Sequence, residues 1–258
     1  MPSESKAGPL DGIVALVTGA SSGIGEATAL ALARCGAHVA VAARRRDRLE
    51  SLAASMPSSA DCLVVEADVT KEESARAMVD ATVQRFERLD VLVNNAGVML
   101  LGPVADAEVS DWERMVNLNL LGLMYSTRAA LPHLLSAAQT GPRRVSDLVN
   151  VSSVAGRVAL KGSAAYNATK FGVVAFSEAL RKEVTGQYIR VSLVEPGGVA
   201  TELMDHMRPD IRDGMRARLD QIEILQPDDV AAAIMFGITR PRHVAISEVL
   251  IRPTQQET

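Results

Sequence analysis

The chain has 258 residues, of which 48% are hydrophobic and 22% are charged, so it can bury the core of one large α/β domain. Its formal net charge of −4 provides no general attraction to nucleic acid or to anionic membranes. We therefore expect neither a nucleic-acid partner nor a membrane partner. Residues 1–10 are polar and lack the apolar stretch of a signal peptide. They predict a flexible N-terminal segment, followed by a single domain over residues 11–258, in a cytoplasmic protein.

Apolar runs of strand length alternate with amphipathic segments of helix length along the whole chain. The alternation predicts a Rossmann-type α/β fold: a doubly wound parallel sheet of about seven strands with helices on both faces, in three layers. Long helices are expected over residues 112–138, bent or interrupted at Pro132, and over residues 164–184. The strand-like runs lie at residues 13–18, 38–43, 62–67, 91–94, 145–151, 190–194 and 249–251.

A glycine-rich turn, TGASSGIG at residues 18–25, joins the first predicted strand to the first predicted helix. Glycines at this place let a pyrophosphate approach the free amides of a helix N-terminus. The alternative is that the glycines serve only the sharp turn. Because the motif stands at the first strand–turn–helix unit, it indicates a dinucleotide site. The predicted contacts are Gly19, Ser21, Ser22, Gly23 and Ile24.

The end of the second strand indicates which dinucleotide is bound. NAD sites usually place Asp or Glu there, whereas this chain has Ala42-Ala43-Arg44-Arg45-Arg46. Arginine grips phosphate with paired hydrogen bonds. We therefore predict that Arg44 foremost, and also Arg45, binds the 2′-phosphate of NADP(H). The alternative is that these arginines are the solvated start of the next helix.

Tyr166 and Lys170 lie four residues apart in a predicted helix, so their side chains project from one face. Such a pair alone is no more than a surface contact. Ser153, however, ends the fifth predicted strand, and Asn119 lies in the helix before that strand. Strand ends and the following helices converge at the ligand crevice of such a sheet. These four polar side chains are therefore expected to meet at one catalytic point.

With these motifs the chain resembles the short-chain dehydrogenase/reductase family over nearly its whole length. Shorter segments, among them SSVAGR and the closing IRPTQ, are similar to clavulanic acid dehydrogenase and to NADP-dependent 3-hydroxy acid dehydrogenases. The resemblance implies an enzyme that reduces an aldehyde or ketone to an alcohol with NADP(H), or catalyses the reverse oxidation. The motifs that carry it are TGASSGIG (18–25), Asp68 in ADVT, NNAG (94–97), Asn119 in NLLG, Ser153 in VSS, YNATK (166–170) and EPGGVAT (195–201).

The family resemblance also implies a role for each catalytic side chain. Tyr166 would donate a proton to the carbonyl oxygen, and Ser153 would hydrogen-bond that oxygen. Lys170 would bind the nicotinamide ribose and lower the pKa of Tyr166. Asn119 would support Lys170 through a water molecule in a proton relay.

Further cofactor contacts follow from the same resemblance. It implies that Asp68 and Val69 contact the adenine, that the NNAG segment lies on the adenosine side, and that the stretch after the sixth strand meets the nicotinamide. For Asn94, Gly97 and Pro196, a purely structural role at a turn or strand end stays open as the alternative. The implied residues of these two stretches are Asn94, Asn95, Ala96, Gly97, Pro196, Gly197, Val199 and Thr201.

Residues 201–221, rich in Met, Arg and Asp, interrupt the alternation after the sixth strand, where a substrate lid would lie. Met204, Met207 and Met215 fit the lining of an apolar pocket, although a pair of surface helices fits the sequence equally well. The family resemblance further implies a homo-oligomer, a dimer or a tetramer, whose long helices bury apolar faces against a second subunit. The small-molecule partner is a carbonyl compound or alcohol.

Two charged residues depart from the expected pattern. Asp147 interrupts the apolar fifth strand, so we expect either a later strand start or a donor such as Arg143 or Arg144. Arg157 lies near the presumed substrate mouth. There it either binds an acidic substrate group or, as is commoner for arginine, is solvated.

The complete catalytic set favours the NADP(H)-dependent oxidoreductase over two other readings of the sequence. A non-catalytic NADP(H)-binding redox sensor has no need for that set. A sugar epimerase or dehydratase on the same fold usually carries an added substrate domain. None of the four histidines has a ligand-like spacing to another, so no metal site is expected.

Overall fold

Short runs rich in Val, Leu and Ala form the strands of one parallel sheet. The computed structural model, which describes residues 8–257, confirms the seven predicted strands and the single sheet. The strands are β1 (Val14–Thr18), β2 (His38–Ala43), β3 (Cys62–Glu66), β4 (Val91–Asn94), β5 (Ser146–Val151), β6 (Ile189–Pro196) and β7 (Glu248–Ile251). Their order is β3-β2-β1-β4-β5-β6-β7, and each neighbouring pair is parallel. The direction of winding reverses between β1 and β4, which is where ligands of such sheets bind.

Helices cover both faces of the sheet. A π-helical turn, Val116–Leu121, separates α4 from α5, so the single helix predicted over residues 112–138 is interrupted earlier than expected. Pro132 lies inside α5 without ending it. One lost backbone hydrogen bond is tolerated there because the buried face of α5 packs on the sheet. The helices are α1 (Gly23–Arg34), α2 (Arg46–Ser55), α3 (Glu72–Phe86), α4 (Val109–Met115), α5 (Gly122–Thr140), α6 (Ala164–Val184), α7 (Pro209–Leu219) and α8 (Pro227–Ile238).

Alternate residues of the central strands point to opposite faces, and helices cover each face. Ala15 and Val17 of β1 belong to the core that α1, α2 and α8 enclose. Val14 and Leu16 belong to the core that α3, α5 and α6 enclose. All four side chains are fully buried. The three-layer Rossmann-type arrangement is therefore confirmed.

Asp147 lies inside β5 and is buried. Its carboxylate accepts two hydrogen bonds from Arg190 on β6, at 2.7 and 3.0 Å, and also pairs with Arg143. Arg190 stands beside Asp147 in the strand register. The strand starts only one residue later than predicted, at Ser146, and still contains Asp147, and Arg143 is one of the two donors. Arg144 instead donates to the carbonyl of Gln139.

Buried polar side chains link the helices to the sheet on one face. Asn94 Nδ2 donates to Thr127 Oγ1 and to Asn150 Oδ1, each at 2.9 Å. Asn150 Nδ2 donates to Ser177 Oγ at 2.8 Å. This chain joins α5, β4, β5 and α6. Asn94 therefore has the structural role that was the alternative for it, and it does not line the cavity described below.

Leu10, in the segment predicted to be flexible, is buried, and its amide donates to the carbonyl of Cys35 at 3.0 Å. Residues 1–7 lie outside the described part of the chain. Over residues 8–257, none of the helices is long and apolar enough to cross a membrane. The same residues contain no group of three or more side chains arranged to hold a metal ion.

Candidate active site

A cavity of about 390 Å³ opens at the carboxyl ends of the strands. Three of the four predicted catalytic side chains, Ser153, Tyr166 and Lys170, line it, and Asn119 lies behind its wall. Every predicted cofactor residue other than Asn94 lines it as well. These residues are Gly19, Ser21, Ser22, Gly23, Ile24, Arg44, Arg45, Asp68, Val69, Asn95, Ala96, Gly97, Tyr166, Lys170, Pro196, Gly197, Val199 and Thr201.

The turn between β1 and α1 requires glycine for steric reasons. Gly19 has φ of 65°, and a Cβ there would lie 2.8 Å from Ala96 Cα. A Cβ on Gly25 would lie 2.5 Å from the Gly19 carbonyl oxygen. Asn95 Nδ2 donates to the carbonyls of Thr18 and Gly19, at 3.1 and 3.2 Å. The turn is thus held tightly against the NNAG segment, with the N-terminus of α1 facing the cavity.

Arg45 reaches into this turn from the end of β2. Its Nε and Nη2 donate to Ser21 Oγ at 3.1 and 3.0 Å, and Nη2 donates to Ser22 Oγ at 2.8 Å. Arg44, which the sequence favoured, also lines the cavity but is exposed. The structure therefore brings two guanidinium groups to the end of the cavity where the adenosine is predicted to bind, with Arg45 in direct contact with the turn.

Tyr166 and Ser153 meet at the opposite end of the cavity. The Ser153 hydroxyl lies near enough to the Tyr166 phenol to favour its ionised form, and Ser153 Oγ accepts a hydrogen bond from the amide of Ala155 at 3.1 Å. Tyr166 is buried, and burial raises its pKa to about 12, partly opposed by the Ser153 hydroxyl. Burial and the Ser153 hydroxyl are the causes of this shift, so the expectation that Lys170 lowers the pKa of Tyr166 stays a prediction. At neutral pH the phenol is protonated.

Lys170 lies on the same face of α6 as Tyr166, and its Nζ is 5.8 Å from the centre of the tyrosine ring. Nζ donates to the carbonyl of Val151 at 3.0 Å. Burial lowers the pKa of Lys170 to about 8, so the ammonium is still charged at pH 7. The predicted pairing of these two side chains on one helix face is present.

Asn119 comes from the π-helical turn and is buried. It forms two hydrogen bonds with the backbone of Val98, at 2.8 and 2.9 Å, and its Nδ2 donates to Thr169 Oγ1 at 3.2 Å. Thr169 precedes Lys170 in α6. Asn119 therefore braces the NNAG exit against the helix that carries Tyr166 and Lys170.

The family model for short chain dehydrogenase matches residues 13–212. This chain belongs to the short-chain dehydrogenase family.

Relatives of this short-chain dehydrogenase share most of its length. It is 40% identical to glycine betaine reductase ATRR of Emericella nidulans over 96% of the chain, although the chain spans only 19% of that relative. It is 35% identical to an uncharacterized oxidoreductase of Staphylococcus saprophyticus, covering 94% of the chain and 96% of the relative. The closed form of serine dehydrogenase, complexed with NADP+, superposes with a TM-score of 0.86 at 32% identity, covering 95% of this chain and 97% of that one.

The end of the dehydrogenase cavity beside Tyr166 is apolar. Two segments form it: the exit of β4 at residues 98–101, and the predicted lid at residues 201–221, which consists of the 3₁₀ turn Glu202–His206 followed by α7. Met204 and Met215 line the cavity, and Met207 is buried in the same apolar cluster. That cluster includes Tyr166. The three methionines therefore belong to the same apolar cluster as Tyr166.

Arg157 neither lines the cavity nor is free in solvent. Its Nε donates to both carboxylate oxygens of Glu195, at 2.8 and 2.9 Å, and it pairs also with Glu248 on β7. Glu195 is fully buried. Arg157 is exposed, as the solvated reading of the sequence expected, but its guanidinium also pairs with two carboxylates that only the sheet brings beside it.

The polar residues of the cavity wall that sequence reasoning missed include Glu202, His206 and Gln256. Burial and the nearby cation Arg114 lower the pKa of His206. Gln256 Oε1 accepts a hydrogen bond from the amide of Gly198 at 2.8 Å. None of the three belongs to a local motif, so the sequence offered no signal for them.

Proposed function

We propose that this protein is an NADP(H)-dependent oxidoreductase that reduces an aldehyde or ketone to an alcohol, or catalyses the reverse reaction. The observation that carries the proposal is one cavity with a protonated Tyr166–Ser153 pair at one end and Arg45 on the phosphate turn at the other. The similar serine dehydrogenase is complexed with NADP+, and the Emericella relative is named a reductase. The narrower similarity to 3-hydroxy acid dehydrogenases stays a prediction.

The residues of the cleft fit a dinucleotide that carries a 2′-phosphate. The glycine turn presents the N-terminus of α1, whose Ser22 makes no side-chain cap, so the first amides stay free for a pyrophosphate. Arg44 and Arg45 supply the cations that an added phosphate requires. The nicotinamide, when bound, supplies or accepts the hydride.

The catalytic side chains manage the oxygen and its proton. The Ser153 hydroxyl holds the carbonyl oxygen, and the Tyr166 hydroxyl gives it a proton as the carbon accepts hydride. The charged Lys170 ammonium faces the tyrosine and is placed to bind the ribose hydroxyls. Asn119 fixes the backbone on which this arrangement rests. Oxidation of an alcohol returns the proton to Tyr166.

The lining beside Tyr166 favours an uncharged carbonyl compound of small to medium size. Leu101, Leu118, Leu203, Met204 and Met215 surround that end of the cavity. The described cations of the lining are Lys170, which takes part in the proposed catalysis, and Arg44 and Arg45 at the adenosine end. An apolar substrate body therefore gains most from this pocket.

A substrate panel with a tyrosine variant tests the proposal. The purified protein should consume NADPH faster than NADH with some members of a panel of aldehydes, ketones and 3-oxo acids. Tyr166→Phe should lose at least about a hundredfold in kcat while keeping its NADPH affinity. Tyr188→Phe is the matched control, because that tyrosine is exposed and remote from the cavity. Tight NADPH binding without turnover, or full activity of Tyr166→Phe, would contradict the proposal.

We also propose a cytoplasmic homo-oligomer, a dimer or a tetramer. Phe171 on α6 and Val116 beside α5 are 43% and 40% exposed, although both are apolar. Exposed apolar side chains that form a contiguous patch are typical of subunit contacts, and the family resemblance implies such a contact along these helices. Sedimentation at micromolar concentration should show more than a monomer.

A further inference from the structure

Glu202 is a charged residue of the cleft that the proposed chemistry does not use. It follows Thr201 directly and begins the 3₁₀ turn Glu202–His206. Its carboxylate accepts a hydrogen bond from Arg45 Nη1 at 2.8 Å on one oxygen and from Arg48 Nη1 at 2.7 Å on the other. These arginines lie 157 and 154 residues away in sequence. The lid is thereby tied across the cleft to the β2–α2 side.

The groups around Glu202 are those that would bind a phosphate. The Ser22 hydroxyl lies near the carboxylate and helps to lower its pKa, and Arg45 holds Ser21 and Ser22 with its remaining N–H groups. Two guanidinium groups and a serine hydroxyl at a phosphate turn form a donor set suited to a doubly charged oxyanion. The Glu202 carboxylate is also an oxyanion, but it carries one negative charge instead of two.

The ion pairs of Glu202 are displaceable. The side chains of Glu202, Arg45 and Arg48 are 39%, 42% and 48% exposed, and ion pairs exposed to this degree are weak. Bonds from Arg45 and Arg48 hold the pKa of Glu202 down to about 2, so the carboxylate stays ionised at neutral pH. A phosphate dianion can therefore displace the Glu202 carboxylate, but it must compete with that carboxylate for the two arginines.

We propose that Glu202 sets cofactor affinity by competing with the 2′-phosphate of NADP(H) for Arg45 and Arg48. The inference rests on the proposed NADP(H) dependence. NAD(H), which carries a hydroxyl at that position, leaves the ion pairs of Glu202 in place. Leu203, Met204 and His206 belong to the same turn and line the substrate side. Binding of the 2′-phosphate therefore also affects the turn that lines the pocket for the carbonyl compound.

Titration of the full-length protein with NADPH and NADH tests the competition. Energy transfer from Trp112, the single tryptophan, to the bound dihydronicotinamide reports both cofactors equally. Glu202→Gln should lower the Kd for NADPH by roughly three- to tenfold, as expected when two weak ion pairs no longer compete. Its Kd for NADH should change by less than about twofold.

Glu50→Gln is the matched control, because Glu50 pairs with the exposed Arg46 on the same helix, α2, and makes no contact with Glu202. It should leave both Kd values unchanged. An unchanged or weaker NADPH affinity in Glu202→Gln would overturn the inference and make Glu202 a support for Arg45 instead. A wild-type protein that binds NADH as tightly as NADPH would overturn the proposed cofactor itself, and the inference with it.

Discussion

The two sides of the cleft are held by different forces. On the cofactor side, Thr18 and Asn95 fix the glycine turn through hydrogen bonds between buried or half-buried groups. On the side proposed for the substrate, the predicted lid meets the exit of β4 through apolar contacts of methionine and leucine. Directional bonds fix one geometry, whereas flexible methionine side chains adapt to several partners.

This difference indicates how the enzyme divides its tasks. The cofactor side must hold one molecule in one pose, because hydride transfer depends on orientation. In the proposed function, the other side decides which carbonyl compound enters, and its packing tolerates change. We therefore expect substitutions on the cofactor and catalytic side to cost activity or folding, and substitutions in the lid to change selectivity.

The largest effect is expected at Lys170. Lys170→Met should lower kcat roughly a thousandfold, because the charge beside Tyr166 is lost. The same variant should be more stable than wild type by about 2 kcal/mol at pH 7, since it removes a buried charge and loses one hydrogen bond to Val151.

The stability gain of Lys170→Met over wild type should depend on pH. Burial lowers the pKa of Lys170 to about 8, below its ordinary value of 10.5, so the unfolded chain binds more protons between these values. The destabilisation caused by burying charged Lys170 is therefore at its full size below pH 8, and it decreases as the pH rises from 8 to 10.5. Urea unfolding at pH 7 and at pH 10.5 should show the gain of Lys170→Met shrinking. An equal gain at both values would contradict the buried-charge explanation.

Thr18 tests the rigid side of the comparison. Its Oγ1 accepts hydrogen bonds from the amides of Asn95 and Ala96, at 3.0 and 3.2 Å, and the residue is buried. Thr18→Val should lower the free energy of unfolding by about 2 to 3 kcal/mol, because two amides lose their acceptor. NADPH affinity should fall with it. Thr140→Val, at an exposed helix end, should change the free energy of unfolding by less than about 0.5 kcal/mol.

The smallest effect on folding is expected in the lid. Met215→Ala should lower the free energy of unfolding by less than about 1 kcal/mol, because the side chain is only partly buried. Met78→Ala, in the sealed core under α3, should lower it by about 2 to 5 kcal/mol. Met215→Ala should change the ratio of the KM for a bulky aldehyde to the KM for a small aldehyde. An unchanged ratio would place Met215 outside the substrate path.

The sequence predicted the features that depend on neighbouring residues. The strands follow from apolar runs, and Tyr166 and Lys170 share a helix face because four residues make about one turn. The glycine turn was readable because its spacing reflects a backbone requirement. Most of the cleft is built from such local motifs.

The features that the sequence missed depend on distant partners. Arg190 lies beside Asp147 only because β5 and β6 pair in one register, and Arg157 meets Glu195 only across strand ends. Glu202 reaches Arg45 across the whole cleft. A charged side chain carries no sign of its partner along the chain, so these pairs required the folded structure.

The bond between Asn150 and Ser177 has a bearing on how accurately the reacting groups are aimed. Asn150 lies three residues before Ser153 along the chain, and Ser177 lies eleven residues after Tyr166 on α6. Eleven residues make three helical turns plus about 20°, over roughly 16 Å of axis. A contact at Ser177 thus sets the rotation of α6 about its own axis and its position along the strand. The hydrogen bond between Asn150 and Ser177 therefore maintains the spacing between Tyr166 and Ser153. Because it is buried, neither substrate nor solvent reaches it.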